Sequence, residues 1–373
     1  MYNRMGKIRY EYVWIDADNN LRSKSRIISY SNGVKCIRPT DLPLWNFDGS
    51  STGQAPGVDS EVYLKPVKVY PDPFNRVSAY PSKLVLCETI KPDMETPHET
   101  NTRNQLYKLM ENKNIHVQDP WFGFEMEFFM MNPDTGFPIG FPRSGFIPKQ
   151  GKFYCSNPDT SFPIGFPRSG EPPKQGQFYC SNGATNCFGR AIIDEHYEAC
   201  LYANVEIVGV NAEVACGQWE YQIFGDALNS TDDAWMSRYI LSRVAEKHNI
   251  DISWHPKPIL GDCNGSGMHT NFSTLSMRKD SGLQHIIDAM PKLEAKHKEH
   301  LEVYGTNNDK RLTGEHETAS MDKFSWGYAD RGRSIRIGKL VEKEGKGYFE
   351  DRRPASSCDM YLVAHKLIET VCT

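Results

Sequence analysis

The chain has 373 residues and a formal net charge of −4, from 43 Lys plus Arg against 47 Asp plus Glu. With 24% charged and 39% hydrophobic residues it has room for two ordinary domains, which excludes a peptide-sized module, wholesale disorder and collagen-like repetition. The charge balance gives no reason to expect nucleic acid or an anionic membrane as a partner.

No stretch approaches the roughly 20 apolar residues needed to span a bilayer. The start, MYNRMGKIRYEYVWID, has neither an apolar core nor a small-residue cleavage site, so a cytoplasmic location is expected. The 10 cysteines include no CxxC and no zinc-knuckle spacing, and read as reduced thiols.

The first ninety residues predict strands and turns: IRYEYVWI, then LRSKSRII, then the apolar run SKLVLCET. KPDMET at 91–96 is polar and proline-containing, and the following ETNTRNQLYKLMENKN carries Leu106, Leu109 and Met110 at helical spacing. A small sheet domain over 1–93 and a larger domain over 94–373 are expected. In the second, FGRAIIDEHYEACLYANV and DDAWMSRYILSRVAEKHN read as helices, the latter with Ser230 and Thr231 as candidate caps. GLQHIIDAMPKLEAKHKEHLEVYG is also helical, with Pro291 expected to kink or restart it. The strand candidates WFGFEMEFFMM, VNAEV, GQWEYQIF, ISWHP and GMHTNFST lie between these helices, which makes the fold class α+β and not a regular βαβ series.

Residues 132–156, NPDTGFPIGFPRSGFIPKQGKFYCS, are followed at once by a near copy at 157–181. Only Gly136/Ser161, Phe146/Glu171, Ile147/Pro172 and Lys152/Gln177 differ. A solenoid needs about three or more units, so this reads as one Pro- and Gly-rich loop segment duplicated in tandem.

Glu125 and Glu127 in GFEMEFF share one face of a strand, while Phe124, Met126 and Phe128 take the other. Neighbouring carboxylates repel, and burial raises their proton affinity unless a cation neutralises them. A solvated edge strand is the alternative. The pattern recurs with Glu213 before a Cys-Gly turn, Glu220 between Trp219 and Tyr221, His269 in a glycine-led strand and Glu350 after an aromatic pair. Oxygen-rich sites with at most one imidazole favour Mg²⁺ or Mn²⁺. Arg311, Arg331, Arg333, Arg336, Arg352 and Arg353 crowd the last quarter, and guanidiniums clamp phosphate and carboxylate bidentately. Together these point to phosphoryl transfer from a nucleotide. The absence of GxxxxGK[ST] excludes a P-loop.

These residues also carry a resemblance. FDGSSTGQAPGVDSEVYLKP, WFGFEMEF, NAEV, QWEYQ, KPILGDCNGSGMHTNFS, RLTGEHETAS, SIRI and GYFEDRRPAS resemble, in order, the motifs of eukaryotic-type (type II) glutamine synthetases from about Tyr12 to the C-terminus. The resemblance implies a small N-terminal β-grasp domain and a catalytic domain with a curved antiparallel sheet backed by helices. It implies a homo-oligomer of two stacked pentameric rings, with active sites between subunits. The implied reaction joins ammonia from ammonium to L-glutamate using ATP, through γ-glutamyl phosphate.

By the same resemblance, two or three Mg²⁺ or Mn²⁺ ions serve each site. Glu127, Glu213 and Glu220 hold the cation on the glutamate side, and Glu125, His269 and Glu350 the one bridging ATP phosphates. Arg311 with Asn264 and Gly265 binds glutamate, and Arg331 stabilises the transferring phosphoryl group. Arg336 and Arg352 grip nucleotide phosphates, Tyr348 packs near adenine, and Ser273 lies in the ATP site. Asp48, from a neighbouring subunit, takes a proton from ammonium, and Glu317 gates the site against water. The second copy of the repeat, Cys216, Cys263 and Asp330 depart from the family pattern; Asp330 puts negative charge beside Arg331. Two other readings are a non-catalytic assembly protein of this family, which the full set of expected ligands disfavours, and a ligase for another amine, which retention of Asp48 and Glu317 disfavours.

Overall fold

The opening blocks pair into a five-stranded sheet in the computed structural model, which describes residues 6–30, 38–77, 81–140, 176–259 and 263–373. Its strands are β1 (Gly6–Ile15), β2 (Leu21–Tyr30), β3 (Trp45–Asp48), β4 (Glu61–Pro71) and β5 (Ser82–Ile90), in the order β2-β1-β5-β4-β3 with β1 and β5 parallel. Side chains alternate between faces along a strand. Accordingly Tyr10, Tyr12 and Trp14 pack on one side against Phe47, Val62, Leu64 and Val85, whereas Val13, Leu84 and Leu86 join the main core on the other.

The polar stretch at 91–96 closes on itself through the Lys91 amide donating to the Thr96 carbonyl, and Asn101 then caps helix Thr102–Met110. The second sheet contains β6 (Trp121–Asn132), β7 (Phe137–Pro138), β8 (Ile207–Ala212), β9 (Gln218–Asp226), β10 (Asp251–Ser253), β11 (Met268–Ser273), β12 (Trp326–Tyr328), β13 (Ile335–Ile337) and β14 (Phe349–Asp351). Its path runs β12-β13-β14-β11-β6-β9-β8, with β7 and β10 added to β6, and only β12/β13 pair in parallel. Helices Arg190–Tyr202, Ala227–Lys247, Gly282–Ala295 and Met360–Cys372 contribute residues to the same core as Phe122, Phe124, Met126 and Phe128 of β6. The α+β architecture with a helix-backed antiparallel sheet is therefore the observed one. No helix among the described residues is long and apolar enough to cross a membrane.

Three local expectations change. Ser230 and Thr231 do not cap the long helix: it starts at Ala227 under Asp226, whose side chain accepts from the Asn229 amide, and both hydroxyls donate back into the first turn. A carboxylate about one turn closer to the strand end won the cap position. Pro291 lies inside Gly282–Ala295, and the break falls at Lys296. The helix tolerates one missing N–H, since Met290 and Leu293 on either side are buried and hold it in place. Third, β8 begins before VNAEV and ends at Ala212, leaving Glu213 just beyond the strand.

The described part of the tandem repeat comprises the head of the first copy, to Gly140, and the tail of the second, from Gly176. The head pairs back on β6 through Met131↔Pro138, and the Cys180 amide donates to the Ala212 carbonyl at the end of β8. The two ends of a single unit are thus supplied by different copies. Among the described residues Cys87, Cys180, Cys187, Cys200, Cys216, Cys263, Cys358 and Cys372 are free thiols. Cys36 and Cys155 lie outside the described residues.

Candidate active site

Strand register alone assembles most of the site. Glu127 faces Glu220 across β6/β9, Glu125 faces Gln222, and Glu125 also faces His269 across β6/β11. Asn271 faces Glu350 across β11/β14, Glu350 faces Arg336 across β14/β13, and Asn211 faces Glu220 across β8/β9. Directly opposed side chains have Cβ atoms about 4.5–5.5 Å apart, so one sheet face gathers carboxylates, an imidazole and a guanidinium from six strands. The opposite face is apolar: Phe124, Met126, Phe128, Trp219 and Tyr221 are all buried.

This face floors a cavity of about 350 Å³ whose lining includes Glu125, Glu127, Glu213, Glu220, His269, Asn264, Gly265, Arg311, Glu317, Arg331, Arg336 and Arg352. His269 Nδ1 lies 3.3 Å from Glu125, 3.8 Å from Glu127 and 3.6 Å from Glu350, while its Nε2 is 3.2 Å from Arg311 Nη2. Glu125, Glu220 and His269 bring one ligand atom each to within 4.8 Å of one another. This trio draws from both ligand sets expected from sequence, so the two sets adjoin.

The electrostatics are those of a site short of positive charge. Burial, then repulsion from Glu213, raises the Glu127 carboxyl well above the ordinary range, with Arg311 opposing. Glu220 is raised further, by burial and then by Glu125, Glu127 and Glu213; Glu213 is raised chiefly by burial. His269 is pushed down by burial and then by Arg352, which keeps its imidazole neutral and able to ligate. Glu350 is buried but paired with both Arg336 and Arg352, the latter at 2.7 Å. Buried carboxylates that repel one another, with a neutral imidazole among them and oxygens predominating, are the donor set of a hard divalent cation.

The arginine side is built from loops. Arg311 is buried and donates to the Arg352 and Arg353 carbonyls. Arg331 Nη1 donates to Glu317 Oε2 at 2.9 Å. Arg352 ties that loop down by donating from Nε to the Arg331 carbonyl and from Nη2 to the Glu317 carbonyl. His316 and Glu317 both hold left-handed backbone, at φ 51° and 62°, a conformation that stores strain in non-glycine residues. Asp330 turns from Arg331: it accepts from Arg333 Nε at 2.7 Å and from the Gly332 amide.

Four expected site residues lie off the cavity lining. Glu350 is just behind it. Ser273 accepts from Arg278 Nη1 at 3.0 Å, and Tyr348 is half exposed. Asp48 sits on the first sheet, where its carboxylate accepts from the Ser50 amide and the Ser50 and Ser51 hydroxyls, which hold it down at about 2.

Several lining residues were not singled out from sequence. Gln218 and Gln222 flank Glu220 at spacing two, so strand periodicity already placed them on its face. Asn211 follows from β8/β9 register, which sequence does not give. Tyr179 lines the cavity together with Arg331, yet nothing in the sequence separates it from its twin Tyr154.

Comparison with known proteins agrees with this geometry. Residues 99–291 match the family described as "Glutamine synthetase, catalytic domain". The chain is 46% identical over 362 residues to the "Glutamine synthetase cytosolic isozyme" of Daucus carota, covering 96% of this chain and 93% of that one. It is 45% identical over 366 residues to "Glutamine synthetase cytosolic isozyme 2" of Glycine max, covering 98% and 94%. It is 46% identical over 368 residues to "Glutamine synthetase" of Yarrowia lipolytica, covering 98% and 91%. With agreement at this level over nearly its whole length, the chain belongs to the glutamine synthetase family.

Proposed function

We propose that this protein makes glutamine, ligating ammonia to L-glutamate at the expense of ATP, with γ-glutamyl phosphate as the intermediate and ADP and phosphate as products. The observation that carries the reading is the convergence of Glu125, Glu127, Glu213, Glu220 and His269 with Arg311, Arg331, Arg336 and Arg352 around one cavity. Glu127, Glu213 and Glu220 would hold one divalent cation, and Glu125, His269 and Glu350 another, Mg²⁺ or Mn²⁺ by donor hardness. When bound, the cations neutralise and polarise phosphate oxygens.

The chain's own residues do the rest. Arg311, with Asn264 and Gly265, receives the α-carboxylate of glutamate, and Arg331 takes charge that develops on the transferring phosphoryl group. Arg336 and Arg352 hold nucleotide phosphates, with Ser273 at the end of β11 and Tyr348 just before β14 serving the rest of the nucleotide. Glu317 excludes water from the acyl phosphate. Asp48, ionised and exposed on the first sheet, would serve a neighbouring copy: it attracts ammonium, and it accepts the proton once its serine bonds yield. This assignment calls for a ring assembly, proposed as two stacked pentamers, with 1–93 and 94–373 as its two units. The cytosol, where the named plant isozymes work, is the proposed location.

The test is γ-glutamyl hydroxamate formation from glutamate and hydroxylamine. Product that requires both ATP and Mg²⁺ or Mn²⁺ is expected. An intact oligomer without activity would sink the proposal and favour a non-catalytic assembly protein.

A further inference from the structure

Gln218 stands where three parts of the site meet. It is buried on β9, two residues before Glu220 and on the same face. Its Oε1 accepts from the Ala215 amide at 3.2 Å, in the turn between β8 and β9 that follows Glu213. That bond fixes which way the amide points. Its Nε2 then donates to the Gly265 carbonyl at 3.0 Å and to Glu127 Oε2 at 3.3 Å. Glu127 Oε2 also accepts from the Gly267 amide at 2.7 Å. One carboxylate oxygen is therefore occupied by two N–H donors, and Oε1 is the oxygen that looks toward His269.

We infer that Gln218 is a positioning residue that couples cation binding to glutamate binding, an inference that rests on the metal and glutamate roles proposed above. A cation drawing in the Glu127 carboxylate pulls on the Gln218 amide, and the same nitrogen holds the backbone of the Asn264–Gly265 segment. The cation thereby sets that segment in the shape that receives the amino acid. A buried amide with every polar atom engaged transmits displacement because breaking one bond strands a buried group.

The test measures the dissociation constant of glutamate with and without saturating Mg²⁺, in the full-length oligomer, for wild type, Gln218→Leu and Gln218→Glu. Wild type is expected to bind glutamate at least 10-fold more tightly with Mg²⁺, and both variants to bring that ratio below about 3-fold. Gln218→Glu keeps the side-chain shape should Gln218→Leu fail to fold. A role confined to stability would lower the melting temperature and leave the ratio unchanged, which would overturn the inference alone. A wild-type protein whose glutamate affinity ignores Mg²⁺ would likewise overturn the inference, whereas one that binds neither Mg²⁺ nor glutamate would overturn the site reading beneath it.

Discussion

Arg331 and Glu317 are joined by an ion pair of 2.9 Å, and both side chains are about half exposed. A pair in that setting is worth only about 0–1 kcal/mol. An anion reaching Arg331 therefore competes for the guanidinium at little cost, and Glu317 is released as its partner is taken. The left-handed backbone at His316 and Glu317 gives the loop a reason to move when that bond goes. Glu317→Ala is expected to leave phosphoryl transfer running while water reaches the acyl phosphate. Phosphate and glutamine measured in one reaction should then depart from equal release, with phosphate in excess. Equal release at the wild-type rate would remove Glu317 from the gate.

Glu220 faces Glu127 across β6/β9 with Glu213 and Glu125 also repelling it. Like charges directly opposed destabilise a sheet, so the metal-free protein carries this repulsion as a cost. Glu220→Ala should raise the melting temperature of the metal-free protein and abolish the further rise that Mg²⁺ gives wild type. Turnover should fall by more than the roughly 10–100-fold typical of residues that only support a metal ligand. Wild-type rates, or a retained Mg²⁺-induced shift, would refute the assignment.

How much of this was legible beforehand depends on the range of each interaction. Alternation along β6 and β9 placed Glu125, Glu127 and Glu220 opposite an apolar face, since the period of a strand is local. The caps failed where a competitor lay nearby in sequence: Asp226, Ser230 and Thr231 are all capping residues, and only packing of the helix against β9 decides among them. Pairings between distant strands, such as His269 with Glu125, are long-range, and here they came through family motifs and not from spacing. Gln218 and Tyr179 stayed hidden because an amide or a phenol announces no chemistry until its partners are placed.

Gly267 leaves room for Arg311. A Cβ there would lie 2.3 Å from Arg311 Nη2 and 2.9 Å from its Cζ, a clash with the far end of a side chain and not with backbone. The fold should therefore survive Gly267→Ala, while the guanidinium is displaced from the Arg352 carbonyl. The KM for glutamate is expected to rise at least 10-fold with that for ATP nearly unchanged. Equal effects on both would place the damage elsewhere.

Two buried histidines set an acid limit. Burial pushes His196 down to about 4, and burial and then Arg353 push His300 down to about 3, from an ordinary 6.5. His300 is enclosed by Tyr304, Thr370, Arg353, Asp351 and Lys366. A base whose folded value is depressed gives stability that is complete above the unfolded value and is lost as pH falls below it. At about 1.4 kcal/mol per unit, each histidine removes about 2 kcal/mol between pH 6.5 and pH 5. Glu127 and Glu220, raised by burial, change stability with the opposite sign over the same range, so the readout is the difference between wild type and His300→Gln: the wild-type urea midpoint should fall relative to that of the variant from pH 6.5 to pH 5 and hold its distance from pH 7 to pH 8. A difference that stays constant down to pH 5 would show that His300 does not oppose protonation.

The tandem repeat is the chain's own experiment in tolerance. The head at 132–140 and the tail at 176–181 occupy the described path, and Tyr179 of the tail lines the cavity together with Arg331. Deleting 157–181 joins the first head to the first tail, which differs from the second near the site only by Lys152 for Gln177. Tyr154 then occupies the place of Tyr179, and Cys155 that of Cys180. Shortening the connection between the described head and tail changes loop-closure entropy by only about 0.6 kcal/mol per halving of length, so the shortened protein should be as active as the full chain or more so. In the full chain Tyr179→Phe should lower turnover and Tyr154→Phe should not; in the shortened chain Tyr154→Phe should acquire the defect. If the shortened protein is inactive and unfolded, the extra copy is structural. If Tyr179→Phe is harmless in the full chain, the Tyr179 hydroxyl does not serve the reaction.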